Sequence, residues 1–270
     1  MLTSPCLSAL RFFALVLIMS TQTNNSTLIE RLFKAGAHFG FKKSRRHPTV
    51  TPYLFGTKEG SDIFDLEKTA DLLVQAKELV NEAGKNGKTI LFVGTKDEVV
   101  KLVKEAATKV EMPFIVNRWI GGIFTNLPEI KKRIARLEQL NRENESGELE
   151  RKYTKKERLV LSREVDKLKF NFESISTMSK TPDLMIVVDP RHDHIAIKEA
   201  QDVKVPIIGI MSSDCDVKDV TYPILVNDAL QGSVSMILNE LATSFAEGRA
   251  TYVPKPVAPR TSTYTRTLKA

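Results

Sequence analysis

The sequence predicts an α/β protein with a doubly wound parallel sheet of about five strands. Short apolar runs at residues 89–93, 114–116, 183–189 and 205–210 are typical of strands buried on both faces. Segments with helical apolar spacing separate most of these runs, and the loops between them are short. Alternation of strand and helix through short loops predicts helices on both faces of the sheet.

An apolar run at residues 10–19 precedes the first predicted element. It is too short to cross a bilayer, and no small-residue cleavage site of a signal peptide follows it. A third interpretation is that translation starts at Met19, because the sequence from Ser20 onward is an ordinary polar lead-in to a helix. We favour that start over a signal or anchor, and treat residues 1–19 as an extension outside the fold.

The first predicted helix is short, and a strongly basic segment follows it. Thr27 and Glu30 have capping-box spacing, which predicts a helix over residues 28–35. Four cations then lie within five positions: Lys42, Lys43, Arg45 and Arg46. Such a run is either a solvated face or an extended arm that lies along a phosphate backbone.

Two short strands, at residues 53–57 and 62–65, predict a β-hairpin ahead of the main sheet. Capping residues then mark the helices on either side of the first buried strand. Asp65 predicts the start of a helix that ends at Gly84. Asp97 predicts the start of the helix between the first two strands of the main sheet.

A basic helical insertion interrupts the α/β pattern at residues 127–175. Apolar residues recur at steps of three and four in both halves, at positions 127, 130, 134 and 137 and again at 161, 165, 168 and 172. This spacing predicts two antiparallel helices in an α-helical coiled-coil hairpin. Each apolar seam is wide enough for only the other helix, so we expect the hairpin to project from the domain. It is then either a simple scaffold protrusion or a contact surface for protein or RNA.

The α/β pattern then resumes, so that residues 27–126 and 180–247 are predicted to form one domain around the insertion. A short strand at residues 223–225 leads to a last helix, capped from Asn227 or Asp228. Residues 248–270 contain five basic residues, three prolines and no acid. This composition predicts a disordered basic tail.

The charge balance favours an anionic partner. Forty basic and thirty-three acidic residues give a net charge of +7. Nucleic acid is the first candidate for such a chain, and a membrane surface is the second. Cys6 and Cys215 have no framework spacing, which indicates a reducing compartment and no zinc knuckle.

Residues 116–126 hold the only Trp of the chain, with Arg118 before Trp119 and two glycines after it. An arginine and a large aromatic face suit phosphate contact and base stacking. The alternative is a core Trp followed by a turn.

Enzymatic interpretations have weaker support. Residues 94–96, Gly-Thr-Lys, follow a strand and open a helix, so they could hold one anion, but a single glycine is not a dinucleotide fingerprint. Residues 189–194 have metal-ligand residue types that His38, Asp214 and Asp216 could join, although a solvated loop is the favoured interpretation. No nucleophile and base have a recognisable spacing. A nucleotide-dependent enzyme using Lys96 remains the alternative function.

Many spaced segments together resemble the bacterial small-subunit ribosomal protein S-two family. They occur in family order, at residues 32–40, 52–56, 65–69, 90–96, 116–122, 125–127, 149, 154–157, 182–183, 188–189, 194–200 and 227–229. The resemblance implies a flavodoxin-like domain with a helical hairpin, and a non-catalytic role on the cytoplasmic ribosome. It implies binding to small-subunit ribosomal RNA, contact with neighbouring ribosomal proteins, and help in docking protein S-one. It implies no cofactor and no membrane partner.

Three departures from the family pattern matter. Phe41 stands where the family has a His, and that His with nearby acids holds a divalent metal in some members, so we carry over no metal site. Ser212 replaces an Asp, and Leu225 and Val226 replace a Pro-Gly pair. The residues predicted to contact RNA are Lys42, Lys43, Arg45, Arg46, Lys96, Arg118, Trp119, Lys131, Lys132, Arg133, Lys155 and Lys156.

Overall fold

The structure is a computed structural model that describes residues 26–178 and 180–252. The predictions for residues 1–19, and for the tail beyond residue 252, lie outside the described residues. Within the described ranges, no helix is long and apolar enough to span a membrane.

The main sheet has five parallel strands, which confirms the predicted fold class. The strands are β4 (Ile90–Val93), β5 (Phe114–Ile115), β6 (Leu184–Val188), β7 (Ile207–Met211) and β8 (Tyr222–Leu225). Their spatial order is β5-β4-β6-β7-β8, with every neighbouring pair parallel. The second strand of this sheet therefore lies outside the first, which is the flavodoxin-like order.

Helices cover both faces of the sheet. One buried cluster joins the sheet to residues 26–34 (α1), α2 (Leu66–Lys85), α3 (Val100–Lys109) and α8 (Gln231–Ala250). A second cluster contains residues of α4 (Leu127–Glu145), α6 (Lys155–Phe172) and α7 (His194–Asp202). Strand β4 serves both: Ile90 and Phe92 belong to the first cluster, and Leu91 and Val93 to the second. This division follows from the two-residue period of a strand.

Helices α2 and α8 approach each other closely through glycine. Gly84 does not end its helix, as the sequence suggested, but lies buried inside α2. A Cβ atom at Gly84 would lie 2.6 Å from the carbonyl oxygen of Phe245 in α8, and one at Gly248 would collide with the backbone of Asn81. Gly84 is therefore a packing residue, and α2 continues to Lys85.

A small antiparallel sheet precedes the main one. It consists of β1 (Phe39–Lys42), β3 (Ser61–Phe64) and β2 (Leu54–Lys58), in that spatial order. The β2–β3 hairpin was predicted, but β1 was not. Because Lys42 ends β1 and residues Lys43–Arg45 form a 3-10 turn, the basic segment is not an extended arm.

Of the caps predicted at Asp65, Asp97 and Asn227 or Asp228, only the one at Asp65 is confirmed. The Asp65 carboxylate accepts a hydrogen bond from the Glu67 amide at 3.1 Å, at the start of α2. Asp97 does not cap α3, because that helix begins at Val100 and has no side-chain cap. Likewise, α8 begins only at Gln231, beyond Asn227 and Asp228.

Helices α4 and α6 pack against each other within the predicted insertion. Leu137 and Leu140 of α4 lie in the same buried cluster as Leu168 and Phe172 of α6. A short helix, α5 (Glu148–Lys152), joins them, and a Thr154–Glu157 capping box starts α6. The coiled-coil geometry and the boundaries of the insertion and of the α/β domain stay predictions.

Candidate nucleic-acid interface

Trp119 is part of the protein core. Its side chain is only 6% exposed, and its ring meets the ring of Phe124 edge to face at 5.2 Å. The indole Nε1 donates a hydrogen bond to Glu199 Oε1 at 3.3 Å. A buried ring cannot present a face to an RNA base, so the structure contradicts the predicted stacking role of Trp119 and favours the alternative.

The carboxylate of Glu199 organises the whole loop after β5. Besides Trp119, it accepts hydrogen bonds from the Gly122 amide at 2.8 Å and the Phe124 amide at 3.3 Å. Burying these donors without an acceptor would be unfavourable, so Glu199 fixes the course of the loop. Nothing in the local sequence of α7 distinguished this acid from a surface residue; only the family segment 194–200 included it.

Arg118 is exposed at the surface of this anchored loop. On its other side, Asn117 Nδ2 donates a hydrogen bond to the backbone oxygen of Phe170 in α6, at 2.6 Å. The loop is thus held by α7 through Glu199 and by α6 through Asn117. Arg118 therefore projects from a fixed position, as a phosphate contact requires.

The basic segment after β1 is anchored and mostly exposed. Lys42, Lys43 and Arg45 are exposed, and the Arg45 guanidinium lies 5.8 Å from the centre of the Phe41 ring. Arg46 is half-buried and forms an ion pair with the buried Asp62 at 3.4 Å. Three of the four predicted cations are therefore directed to solvent, and Arg46 also serves the fold.

The predicted cations of α4 and α6 are also exposed, namely Lys131, Lys132, Arg133, Lys155 and Lys156. Lys132 pairs with Glu129 one turn before it, at 2.6 Å. An exposed pair of this kind contributes little to stability, and its lysine can exchange the partner for a phosphate.

Lys96, unlike the exposed cations of α4 and α6, is mostly buried and paired with acids. Its ammonium group lies 3.3 Å from Asp189 Oδ2 and 3.2 Å from Asp228 Oδ2, and its side chain is mostly buried. Burial lowers the pKa of Lys96, but the charges of Asp228 and Asp189 together outweigh this and raise it. Because the ammonium already neutralises two carboxylates of the protein, this geometry disfavours the predicted role of Lys96 as an RNA contact.

The other donors of the suspected anion site, the hydroxyl and amide of Thr95, are also bound to an acid of the protein. The hydroxyl of Thr95 donates to Asp193 Oδ1 at 2.7 Å, and the Thr95 amide donates to Asp193 Oδ2 at 3.2 Å. Burial raises the pKa of Asp193 despite these two bonds. Donors that would cradle a phosphate are therefore occupied by a carboxylate of the protein.

The metal-type residues after β6 do not converge. Arg191 pairs with Asp214 at 2.8 Å, while Asp216 accepts a hydrogen bond from Thr49. His38 instead stacks on Phe33, with ring centres 4.6 Å apart. Across residues 26–178 and 180–252, no group of three or more His, Cys, Asp or Glu side chains has the geometry to hold a metal ion.

Comparison with known proteins agrees with this architecture. The family model described as Ribosomal protein S2 matches residues 32–248. The chain is 38% identical over 221 residues to a protein named small ribosomal subunit protein uS2 from Picosynechococcus, a match that covers 82% of this chain and 86% of that relative.

Two further relatives show the same extent of similarity. A protein named small ribosomal subunit protein uS2c from Rhodomonas salina is 39% identical over 222 residues, covering 82% of this chain and 90% of the relative. The uS2 protein of Sulfurimonas denitrificans is 37% identical over 219 residues, covering 81% and 84%. With matches that span nearly the whole α/β core and the helical insertion, this chain belongs to the Ribosomal protein S2 family, a family of structural proteins rather than enzymes.

Proposed function

We propose that this chain is a structural constituent of the small ribosomal subunit that binds small-subunit ribosomal RNA and supports translation. The observation that carries the proposal is the family match over residues 32–248, together with names of relatives that place them in that subunit. The net charge of +7 suits an RNA partner. Localisation on the ribosome follows from this role.

Phosphate contacts would supply most of the affinity. The cations that suit this role are exposed, and they lie on three separate parts of the chain: Lys42, Lys43 and Arg45 after β1, Arg118 after β5, and Lys131, Lys132, Arg133, Lys155 and Lys156 on α4 and α6. Arg46 is a weaker contributor because Asp62 already pairs with it. Binding through lysine and arginine releases counterions, so it weakens as salt rises.

We also propose that the protein helps to dock protein S-one or another neighbouring ribosomal protein. The small antiparallel sheet offers suitable apolar surface, since the side chains of Phe39 and Phe55 are 51% and 81% exposed. Large exposed aromatic groups are typical of protein contact sites rather than of an isolated soluble surface.

Sedimentation of cell lysate through a gradient tests the ribosomal role. We expect the protein to comigrate with small subunits at low salt and to dissociate from them at high salt. A variant with Lys42, Lys43 and Arg45 changed to Ala should dissociate at lower salt than the wild type. Its control removes three other exposed lysines, Lys85, Lys101 and Lys104, and carries the same net charge.

Either of two results would contradict the proposal. Wild-type protein that stays at the top of the gradient at low salt is not a subunit constituent. Equal dissociation of the two triple variants would show that overall charge, rather than the basic segment, governs binding.

A further inference from the structure

An exposed aromatic residue other than Trp119 lies on the turn of α6 that contacts the Arg118 loop. Phe170, near the end of α6, is 61% exposed. The geometry of the α-helix explains why this side chain is exposed. Leu168 and Phe172 are buried on the side of α6 that faces the core, and Phe170 is two positions, or about 200°, from each. Phe170 therefore lies on the outer face and does not contribute to the apolar seam.

The loop that carries Arg118 contacts the α6 turn that carries Phe170. The hydrogen bond from Asn117 Nδ2 to the Phe170 backbone oxygen, at 2.6 Å, joins the two segments directly. Arg118 is exposed on the loop, and Lys167 and Lys169 are exposed on the last turns of α6, close to Phe170 in sequence. The junction therefore combines an accessible aromatic ring with three cations.

This combination suits unpaired nucleic acid. Bases stack on aromatic side chains, while neighbouring cations hold the phosphates of the same strand. An aliphatic protein surface would cover the ring equally well, but it would not need cations on the same two segments. Asp166 and Glu173 are also exposed within one turn of Phe170, so three cations and two acids lie on these two segments. The net charge is still positive, which favours RNA over a protein partner.

We propose that Phe170 stacks on an unpaired base of small-subunit ribosomal RNA, with Arg118 holding an adjacent phosphate. This inference rests on the proposed function, since it needs RNA as the partner. It assigns the stacking role predicted for Trp119 to a residue that the sequence did not single out.

The test measures the dissociation constant of the full-length chain for purified small-subunit ribosomal RNA at several salt concentrations. We expect Phe170→Ala to weaken binding about tenfold or more, which is the usual size of a lost base stack. Phe170→Trp should stay within about twofold of the wild type because it keeps a stacking face. The salt dependence should be unchanged in Phe170→Ala but shallower in Arg118→Ala, because only the arginine displaces counterions.

Phe170→Leu separates stacking from apolar packing, since leucine keeps apolar surface without an aromatic ring. It should weaken binding as alanine does. Phe33→Ala is the matched control: that ring is equally exposed, at 61%, but already stacks on His38. Its affinity should match that of the wild type. Thermal unfolding of each variant verifies that the fold is intact.

The outcomes distinguish failure of the stacking inference from failure of the proposed function. If wild-type protein shows no salt-dependent preference for ribosomal RNA over an unrelated RNA, the proposed function itself fails. If wild-type binding is normal and Arg118→Ala weakens it, but Phe170→Ala binds like the wild type, only the stacking inference fails. Wild-type affinity of Phe170→Leu would likewise overturn stacking and indicate a non-aromatic contact.

Discussion

The loops after β4 and β5 leave neighbouring parallel strands at the same edge of the sheet, yet they use their basic residues in opposite ways. In the loop after β4, Lys96 turns inward and neutralises Asp189 and Asp228. In the loop after β5, Arg118 is exposed. Both loops are anchored by carboxylates from the α7 region, Asp193 in the first and Glu199 in the second.

The difference lies in which donors satisfy the anchoring acids. Glu199 is satisfied by two backbone amides and an indole, so it needs no cation and leaves Arg118 to solvent. The buried Asp228 instead has the Lys96 ammonium group as its donor, and the nearby Asp189 adds a second negative charge that this cation also offsets. In this protein, the basic residue at the strand end stays exposed where the fold supplies other donors to the anchoring acid.

The largest expected effect comes from removing the inward cation. Lys96→Ala leaves two mostly buried carboxylates without their shared partner, so we expect it to lower the free energy of unfolding by about 3 kcal/mol. Denaturant titration measures this loss. Lys132→Ala is the control, because its exposed pair with Glu129 should contribute less than about 0.5 kcal/mol.

The same two variants also separate stability from binding. Lys132→Ala should weaken RNA affinity, and Lys96→Ala should leave it unchanged at temperatures where the protein is folded. A stable Lys96→Ala protein with weakened RNA binding would show that Lys96 contacts RNA after all.

A smaller loss is expected from the second anchor. Glu199→Ala removes the acceptor of three N–H groups, so it should lower the free energy of unfolding by about 2 kcal/mol. Because the loop also loses its fixed course, RNA affinity should fall as in Arg118→Ala. Glu199→Gln keeps one acceptor oxygen and should be milder in both assays. An unchanged unfolding midpoint in Glu199→Ala would mean that the carboxylate does not hold the loop.

The smallest effect is a pH slope. Burial and the charge of Asp189 raise the pKa of Asp228 to about 6, although Lys96 opposes the shift. The folded state therefore holds this proton more tightly than the unfolded state. The contribution of Asp228 to stability is greatest below about pH 4 and declines as the pH rises to about 6, by at most about 1.4 kcal/mol per pH unit.

Asp228→Asn removes this titration. Urea unfolding of both proteins from about pH 4 to pH 7 should show the wild type losing stability relative to the variant across that window. Both proteins contain acids with lowered pKa, such as Asp183 and Glu240, whose contributions to stability change with pH in the opposite direction. Subtracting the unfolding free energy of the variant from that of the wild type cancels these contributions. If the wild type instead gains stability relative to the variant as pH rises, Lys96 lowers the pKa of Asp228 by more than burial and Asp189 raise it.

Much of the fold was predictable because local patterns dictate it. Continuous apolar runs located the buried strands, and the helical insertion followed from three- and four-residue spacing. Glycine was harder to interpret: Gly84 resembles a helix stop, yet the packing of α8 requires it there. That requirement comes from a residue more than 160 positions away and leaves no local pattern.

The site was less predictable for a related reason. Arg118 and Trp119 are neighbours in sequence, but tertiary packing exposes one and buries the other. Lys96 and Arg118 look equivalent until Asp189, Asp228 and Glu199 are placed in space. Exposure and pairing are long-range properties, so residue type alone identified candidate cations without identifying which of them the fold had already used.

The order of strands in the main sheet also affects how the protein is made. Strand β4 pairs with β6 along the register Ile90 to Leu184, 94 positions apart, because the helical insertion lies between them in the chain. At a synthesis rate of about 5–20 residues per second, β4 waits about 5–20 s for this partner to be translated. During that interval its apolar residues have only the short strand β5 beside them in the sheet. Nascent chains paused within the insertion should therefore be the ones most dependent on chaperones.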